Sequence, residues 1–134
     1  MQHESSLAVV QVWLEAANSQ DVNRLLELSD PNIEVVGPRG SGYGHQLLRD
    51  WLARAGLTLE TRRCFGRGNV VVIAQHAVWR SPETGEVLGE ADIASRFRVQ
   101  DQRVVQYARH DSLDEALIKA GLDDSDEIPA EVVA

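Results

Sequence analysis

The chain has 134 residues, which suits one domain with a core large enough to contain a cleft. Its formal net charge of -8 at pH 7 argues against nucleic acids and anionic membranes as partners. The single cysteine, Cys64, excludes an internal disulfide. The N-terminus lacks a signal-peptide pattern and no apolar run is long enough for a membrane span, so we expect a cytoplasmic protein.

Apolar residues recur at helical spacing in three stretches of the first half of the chain. The first stretch, Ser5 to Asn18, predicts an amphipathic helix. The second, Asp21 to Leu28, predicts a shorter helix with Ser19 as its cap. The third covers His45 to Ala55 and is followed by Gly56, which suits a left-handed C-terminal cap.

The remaining segments predict strands and one further helix. Asn32 to Gly37 predicts a strand, and Pro38 to Gly44 predicts a glycine-rich turn rather than regular structure. A capping box from Ser112 to Glu115 predicts a final helix that ends at Gly121. Between them, four long β-rich runs predict a meander: Leu57 to Phe65, Asn69 to Arg80, Glu86 to Gln100 and Arg103 to Asp111.

One hairpin loop decides which side chains of the last strand face inward. On the preceding strand, charged residues alternate with Ile93, Ser95 and Phe97, which we expect to face the core. We favour a three-residue loop at Gln100 to Gln102, which would turn these residues inward: Val105, Tyr107, Arg109 and Asp111. A two-residue loop would instead select Val104, Gln106, Ala108 and His110.

This order of elements resembles the nuclear-transport-factor-like superfamily, which includes ketosteroid isomerases, limonene epoxide hydrolases and SnoaL-like polyketide cyclases. The stretches that carry the resemblance are Trp13 to Asp21, Val35 to Pro38, Gly44 to Trp51, and Phe97 to Leu117 with the Ala-Gly-Leu that ends at Leu122. The resemblance implies an α+β fold in which a curved, mainly antiparallel sheet wraps around N-terminal helices as a cone with a central pocket. It also implies a homodimer through the convex face of the sheet. We place this domain at residues 1–122 and an acidic tail at 123–134.

The resemblance further implies where known catalytic groups of these enzymes would lie. The base, tyrosine and neutral aspartic acid of the ketosteroid isomerases would fall on Gly37, Trp13 and Ser95. The aspartate, arginine, aspartate relay of the epoxide hydrolases would fall on Ala77, Gln75 and Arg109. Since neither set of groups is present, we predict neither of these two mechanisms.

A polar row on the last strand is the candidate site. Arg109 and Asp111 are the candidate catalytic residues, because a fixed cation can hold a carboxylate or enolate oxygen while a nearby carboxylate acts as a base. The alternative is that these two side chains pair with each other, or that Asp111 caps the following helix. The residues expected to bind the ligand are Trp13, Trp51, Ser95, Phe97 and Tyr107. The alternative for Trp13, Trp51 and Phe97 is that they belong to the core.

Other chemically capable residues favour ordinary structural roles. His76 and His110 fall on the outward parity, which predicts a surface or interface position, and His45 is expected to be a solvent-facing residue of the first turn of its helix. Cys64 stands beside Arg62 and Arg63, whose charges would lower the pKa of a thiol, but no partner histidine can be named and a passive thiol is favoured.

Neither a metal nor a nucleotide is predicted. The four histidines lack metal-binding spacing, and the run Gly40 to Gly44 is not followed by the Gly-Lys-Ser or Gly-Lys-Thr of a phosphate loop. We therefore expect no cofactor.

Two functions fit these observations. The first is a SnoaL-like protein that binds a small, largely apolar molecule, with acid/base chemistry of an isomerase, cyclase or hydrolase type left open. The second is a non-catalytic dimeric module that contacts another protein through its convex sheet or its acidic tail. The sequence names neither the ligand nor the reaction.

Overall fold

The computed structural model of the chain describes residues 2–37 and 39–129. Within them the helices are α1 (Gln2–Asn18), α2 (Val22–Glu27), α3 (His45–Ala55) and α4 (Leu113–Ala120). The strands are β1 (Ser29–Gly37), β2 (Gly40–Tyr43), β3 (Leu57–Arg67), β4 (Val70–Arg80), β5 (Val87–Gln100), β6 (Arg103–His110) and β7 (Glu127–Ile128). No helix in the described part of the chain is long and apolar enough to cross a membrane.

All seven strands form one sheet in the order β2, β1, β6, β5, β4, β3, β7. Neighbouring strands are antiparallel except β1 and β6, which are parallel. Helix α1 contacts β3, β4, β5 and β6, and α3 packs against β1 and α2. The main core lies between these helices and the concave face, with Trp13, Leu52 and Phe97 at its centre. The predicted α+β cone is therefore confirmed.

Helix α4 covers part of the opposite, convex face. A second, smaller core joins Phe65, Val72 and Ala94 of the sheet to Ala116 and Leu117 of α4. Both faces of β4 are buried there, which explains why its sequence is a continuous apolar run rather than an alternating one. The homodimer through the convex face stays a prediction, and α4 occupies part of the surface that it would use.

The hairpin between β5 and β6 differs from the expected one. Gln100 pairs with Arg103, so the loop has two residues, and both of them have positive φ, 52° at Asp101 and 62° at Gln102. This is the conformation of a type I′ turn, whose twist matches that of the two strands. The predicted three-residue loop was wrong.

A β-bulge on β6 compensates for the shorter loop. Without it, the two-residue loop would turn Tyr107 and Arg109 to the outward face. Arg98 pairs with Gln106 and Val99 with Val104, so Val105 is an extra residue on β6. Val104 accordingly lies in the main core, against the prediction. Beyond the bulge, Tyr107 pairs with Phe97 and shares its inward direction, as predicted.

The first hairpin is also more regular than expected. Part of the segment predicted as a turn forms β2, which pairs with β1 from Glu34 opposite Tyr43 to Gly37 opposite Gly40, while Pro38 lies outside the described residues. Strand β1 begins at Ser29 rather than at the predicted Asn32, so Pro31 lies inside it. Pro31 is tolerated in the strand because the pairing of β1 with β6 is interrupted between Ser29 and Glu34. The N–H that proline lacks would therefore not have formed a hydrogen bond with β6.

Two N-terminal helix caps can be compared with the predictions. The N-cap of α2 is Asp21, whose side chain accepts a hydrogen bond from the Arg24 N–H at 3.2 Å, and not Ser19. The N-cap of α4 is Ser112, whose Oγ accepts from the Glu115 N–H at 3.1 Å, as predicted. Asp111 is therefore not the cap of this helix.

The outer edge of β3 is sealed by side chains and by the C-terminal segment. The Asn18 amide pairs with Leu59 as a strand would, donating to its carbonyl at 3.0 Å and accepting from its N–H at 2.9 Å. Further along, β7 pairs with β3, and Arg63 forms a bidentate ion pair with Glu127 at 2.9 Å. Part of the acidic tail thus lies on the sheet and protects an edge that would otherwise pair with other chains.

Candidate functional site

Four aromatic rings meet at the centre of the cone. The Trp13 ring centroid lies 5.0 Å from that of Tyr107, 5.3 Å from Phe97 and 6.1 Å from Trp51. Trp13 and Phe97 are 0% exposed and Tyr107 is 3% exposed. These rings therefore pack on one another as an aromatic wall, and Trp51, which is half-buried, forms its outer end.

The position of Trp13 depends on a hydrogen-bonded link to β1 and α2. Its Nε1–H donates to Ser29 Oγ at 2.9 Å, and the Ser29 hydroxyl donates in turn to the Leu25 carbonyl at 2.7 Å. Both partners are buried. The link fixes the plane of the indole ring, and with it one side of the aromatic wall.

A buried polar chain runs beside the aromatic wall on the concave face. Ser95 on β5 donates through Oγ to the Gln75 Oε1 on β4 at 2.7 Å, and it also hydrogen-bonds with the Tyr107 hydroxyl. Burial raises the pKa of Tyr107, while the hydrogen bond to Ser95 and the charge of Arg109 act in the opposite direction. The phenol is therefore a neutral donor group at neutral pH.

The sequence predicted Ser95 and Tyr107 for this site. It did not predict Gln75, which was considered only as the position where the epoxide hydrolases would have the arginine of their relay. A signal was available. Gln75 directly follows the apolar run from Val70 to Ala74 on β4. It has the same inward parity as Ile73 and Ala77. Such a residue is costly to bury, and it points to a polar feature inside the cone.

Arg109 stands at the rim of the same face. It pairs across the sheet with Ser95, and its guanidinium carbon lies 5.1 Å from the centroid of the Trp79 ring. Its side chain is 39% exposed, so its charge can reach both solvent and a molecule at the mouth of the cone. Arg109 therefore has the inward direction that the sequence predicted.

Asp111 follows the last residue of β6 and projects into solvent. Its side chain is 93% exposed, and its Oδ1 lies 3.8 Å from the Arg109 Nη2, which makes a loose ion pair. It lines two surface clefts beside α4, one of about 710 Å³ that includes His76 and one of about 490 Å³ that includes His110. The predicted inward direction of Asp111 was wrong, because β6 ends at His110 and the parity of the strand no longer applies to the next residue. Its role as a base stays a prediction, as does the catalytic role of Arg109.

His110 is on the convex side, as its parity predicted, but α4 buries it. Arg96 donates through Nε to its Nε2 at 3.2 Å, and its Nδ1 lies 3.2 Å from the Glu115 Oε1. Because a guanidinium cannot accept a hydrogen bond, Nε2 carries no proton and Nδ1–H donates to Glu115. Burial, with the charge of Arg98, lowers the pKa of Arg96. His110 therefore joins the sheet to α4.

His76 lies on the exposed part of the convex face between two carboxylates. Its Nδ1 is 2.9 Å from the Asp92 Oδ1, and its Nε2 is 2.8 Å from the Glu90 Oε1. The hydrogen bond with Asp92, followed by the one with Glu90, raises the pKa of the imidazole. Protonated His76 of β4 thus binds two carboxylates of β5, those of Asp92 and Glu90, on the surface.

This arrangement predicts a pH dependence of stability. A group whose pKa is raised on folding stabilises fully below its unfolded pKa, about 6.5 for histidine, and this contribution is lost as pH rises through the folded value. We expect the midpoint of urea unfolding to differ between the wild type and His76→Gln more at about pH 6 than at about pH 9. An NMR titration should show an imidazole with raised pKa that is missing in the variant. A difference that grows at alkaline pH would contradict this.

The remaining candidates have structural positions. His45 is half-buried, and its Nε2 lies 2.9 Å from the Ser29 carbonyl, to which it donates; the prediction of a solvent-facing residue was wrong. Cys64 is buried, and burial raises its pKa to about 11, with a further contribution from Glu127. The neighbouring Arg63 is held by Glu127. Among the described residues, no group of three or more His, Cys, Asp or Glu side chains could hold a metal ion.

The family comparison covers most of the chain. Residues 10–107 match the model of the SnoaL-like domain. These residues extend from α1 to the inward-facing tyrosine of β6, and they include the aromatic wall and the polar chain described above. No curated protein matches the chain.

Solved structures with low sequence identity share the fold. An LEH-like epoxide hydrolase from M. tuberculosis superposes with a TM-score of 0.71 at 16% identity, covering 90% of this chain and 94% of that one. Bal32a, from a soil-derived mobile gene cassette, gives 0.73 at 19% identity, with 90% and 98% covered. TerC co-crystallized with polyporic acid gives 0.69 at 17% identity, with 87% and 97% covered. At these identities the similarity concerns the fold.

Proposed function

Because this chain belongs to the SnoaL-like family, we propose that it binds a small, largely apolar molecule on the concave face of its sheet. The observation that carries the proposal is the aromatic wall of Trp13, Trp51, Phe97 and Tyr107, which borders a buried polar chain. Apolar surface with a few fixed polar groups is typical of small-molecule sites. A buried amide costs free energy in an otherwise apolar core, so the presence of Gln75 beside the aromatic wall supports a binding role.

The position of Arg109 supports an anionic or electron-rich end on the bound molecule. Its guanidinium lies over Trp79 at the rim, where it can contact an oxygen of a ligand whose apolar part lies toward Trp51. Charge-assisted hydrogen bonds from arginine are among the strongest polar contacts a ligand can make. Such a contact would stabilise negative charge that develops during an acid/base reaction, with Asp111 beside it as the base.

Named structural relatives fit this proposal. One of them is an epoxide hydrolase, and another was co-crystallized with polyporic acid. We propose that the present chain acts on its ligand by proton transfer, in a reaction of the isomerase, cyclase or hydrolase type. This step rests on Arg109 and Asp111 as reacting groups, whereas binding alone requires only the aromatic wall.

The first experiment is mass spectrometry of small molecules released from the purified protein by denaturation. We expect a molecule with a substantial apolar part to be released in a fixed ratio to the protein, and its binding to change the tryptophan fluorescence. Arg109→Ala should weaken that binding by about tenfold, which corresponds to one charge-assisted hydrogen bond. Arg98→Ala is the matched control, since Arg98 is an exposed arginine of the convex face.

The outcomes separate binding from catalysis and from the alternative function. Turnover that is lost in Asp111→Asn while binding is kept would support the proposed chemistry, and binding without turnover in the wild type would restrict the function to binding. A protein that releases no molecule and binds none would contradict the proposal and favour the protein-interaction module.

A further inference from the structure

The amide of Gln75 is only half satisfied. Its Oε1 accepts the hydrogen bond from Ser95, but its Nε2 has no hydrogen-bond partner among the described residues. The side chain is 1% exposed, so bulk water does not reach it. An amide nitrogen buried in this way costs free energy comparable to a lost hydrogen bond, and such groups are rare in folded proteins.

The surroundings of Gln75 fix the direction of this nitrogen. Gln75 belongs to the inward face of β4, between Ile73 and Ala77, both of which lie in the main core. Ser95 holds the Oε1 from the neighbouring strand, and the Tyr107 hydroxyl hydrogen-bonds with Ser95. With its oxygen held, the amide cannot satisfy its nitrogen by rotating without giving up the hydrogen bond to Ser95.

We propose that Gln75 is a specificity-determining residue, whose Nε2 donates a hydrogen bond to a neutral acceptor oxygen of the bound molecule. This inference rests on the proposed function and adds the chemical class of the ligand: an apolar, ring-containing molecule with a carbonyl or similar acceptor. The aromatic wall contacts the rings, and the polar chain contacts the oxygen. Ser95 is a positioning residue, because it acts by holding the amide of Gln75.

The physical reason is that the Gln75 Nε2 donor is already removed from solvent before any ligand binds. A hydrocarbon of the same shape leaves Nε2 unpaired, whereas a ketone gives it a partner, so the site discriminates by more than an exposed donor would. Arg109 stands farther out, where its 39% exposed side chain can contact a charged group at the rim beside its loose ion pair with Asp111. Two different oxygens of one ligand can therefore be recognised, a neutral one inside and an anionic one outside.

The test uses a pair of probes that differ in one oxygen, 1-indanone and indane. Dissociation constants are measured by tryptophan fluorescence and ligand-observed NMR for the wild type, Gln75→Met and Gln75→Glu. The preference for 1-indanone is the ratio of the dissociation constant of indane to that of 1-indanone. We compare this ratio between proteins, because general changes in apolar packing affect both probes and cancel. We expect this preference to fall about tenfold in Gln75→Met and further in Gln75→Glu, which replaces the donor by acceptor oxygens.

Stability measurements separate a binding role from a packing role. Gln75→Met combined with Ser95→Ala removes both members of the hydrogen bond between these residues, and we expect its urea midpoint to fall by no more than the loss of the Tyr107 hydrogen bond with Ser95 would cause. The matched control is Gln100→Met, an exposed glutamine at the end of β5, which should change neither the preference nor the midpoint. If Gln75→Met does not fold, Gln75→Leu takes its place in the comparison.

Each outcome decides a specific point. An unchanged preference in a folded Gln75 variant would overturn the inference while the proposed function stands. A wild type that binds both probes without any advantage for the ketone would do the same. If neither probe binds to the wild type, the proposed function fails and the inference fails with it. Loss of preference in the variants with preserved binding of indane would support both.

Discussion

Trp13→Ala is expected to lower the free energy of unfolding by about 4 kcal/mol. Trp13 is fully buried and contacts the other three rings of the aromatic wall, so the substitution leaves a large cavity in the main core. It also removes the Nε1–H that donates to Ser29 Oγ. Since domains of this size are stable by roughly 5 to 15 kcal/mol, the variant should be close to unfolding.

Urea unfolding followed by circular dichroism measures this effect. Trp13→Phe is the control, because it keeps an aromatic ring but loses the donor to Ser29, and we expect it to cost about half as much as Trp13→Ala. A cost below about 1 kcal/mol for Trp13→Ala would show that the ring is not packed as described. It would also remove the main support for the proposed binding site.

Gly56→Ala is expected to lower the free energy of unfolding by about 3 kcal/mol. Gly56 ends α3 with φ 51° and ψ 32°, a left-handed conformation that costs other residues about 1 kcal/mol. A Cβ on Gly56 would also lie 2.1 Å from the Arg80 carbonyl oxygen, which belongs to the backbone and cannot move independently. The Gly56 carbonyl accepts from the Arg80 N–H at 2.8 Å, so the clash would break this link between α3 and β4.

Gly121→Ala is the matched control for this prediction. Gly121 ends α4 with φ 74° and ψ 27°, and a Cβ there would meet no atom within 4 Å. It should therefore show the conformational cost alone, about 1 kcal/mol. Thermal and urea unfolding of the two variants would isolate the effect of the contact. Equal costs for both substitutions would mean that the contact with Arg80 relaxes without penalty.

The sequence could predict those features that depend on neighbouring residues. The bounds of α3 follow from the spacing of Leu48 and Leu52 and from the glycine after Ala55, and the structure places the helix there. Ser112 opens α4 for an equally local reason, a hydroxyl three residues before an N–H that needs a partner. Strand identities in the second half followed from composition in the same way.

The site was only partly predictable. Phe97 and Tyr107 were predicted for the site from their inward strand parity, and Trp13 from the apolar stripe of the first helix; the three rings do meet at the centre of the cone. The unpaired nitrogen of Gln75 could not be found, because its lack of a partner is a property of all the side chains around it. Likewise, the burial of His110 depends on α4 packing back onto the convex face, which is decided by contacts with distant strand residues such as Phe65 and Val72.

The sequence by itself determined most helices and strands of this α+β chain, since helix periodicity, strand composition and turn residues are local and agreed with one another. The cone arrangement was implied by the family resemblance. The tertiary structure decided how the strands are registered and which polar groups are paired. Tyr107 faces inward because a two-residue turn and a bulge at Val105 offset each other, and pairing energies across the whole sheet choose that combination. The polar interior of the cone is set by the same long-range contacts.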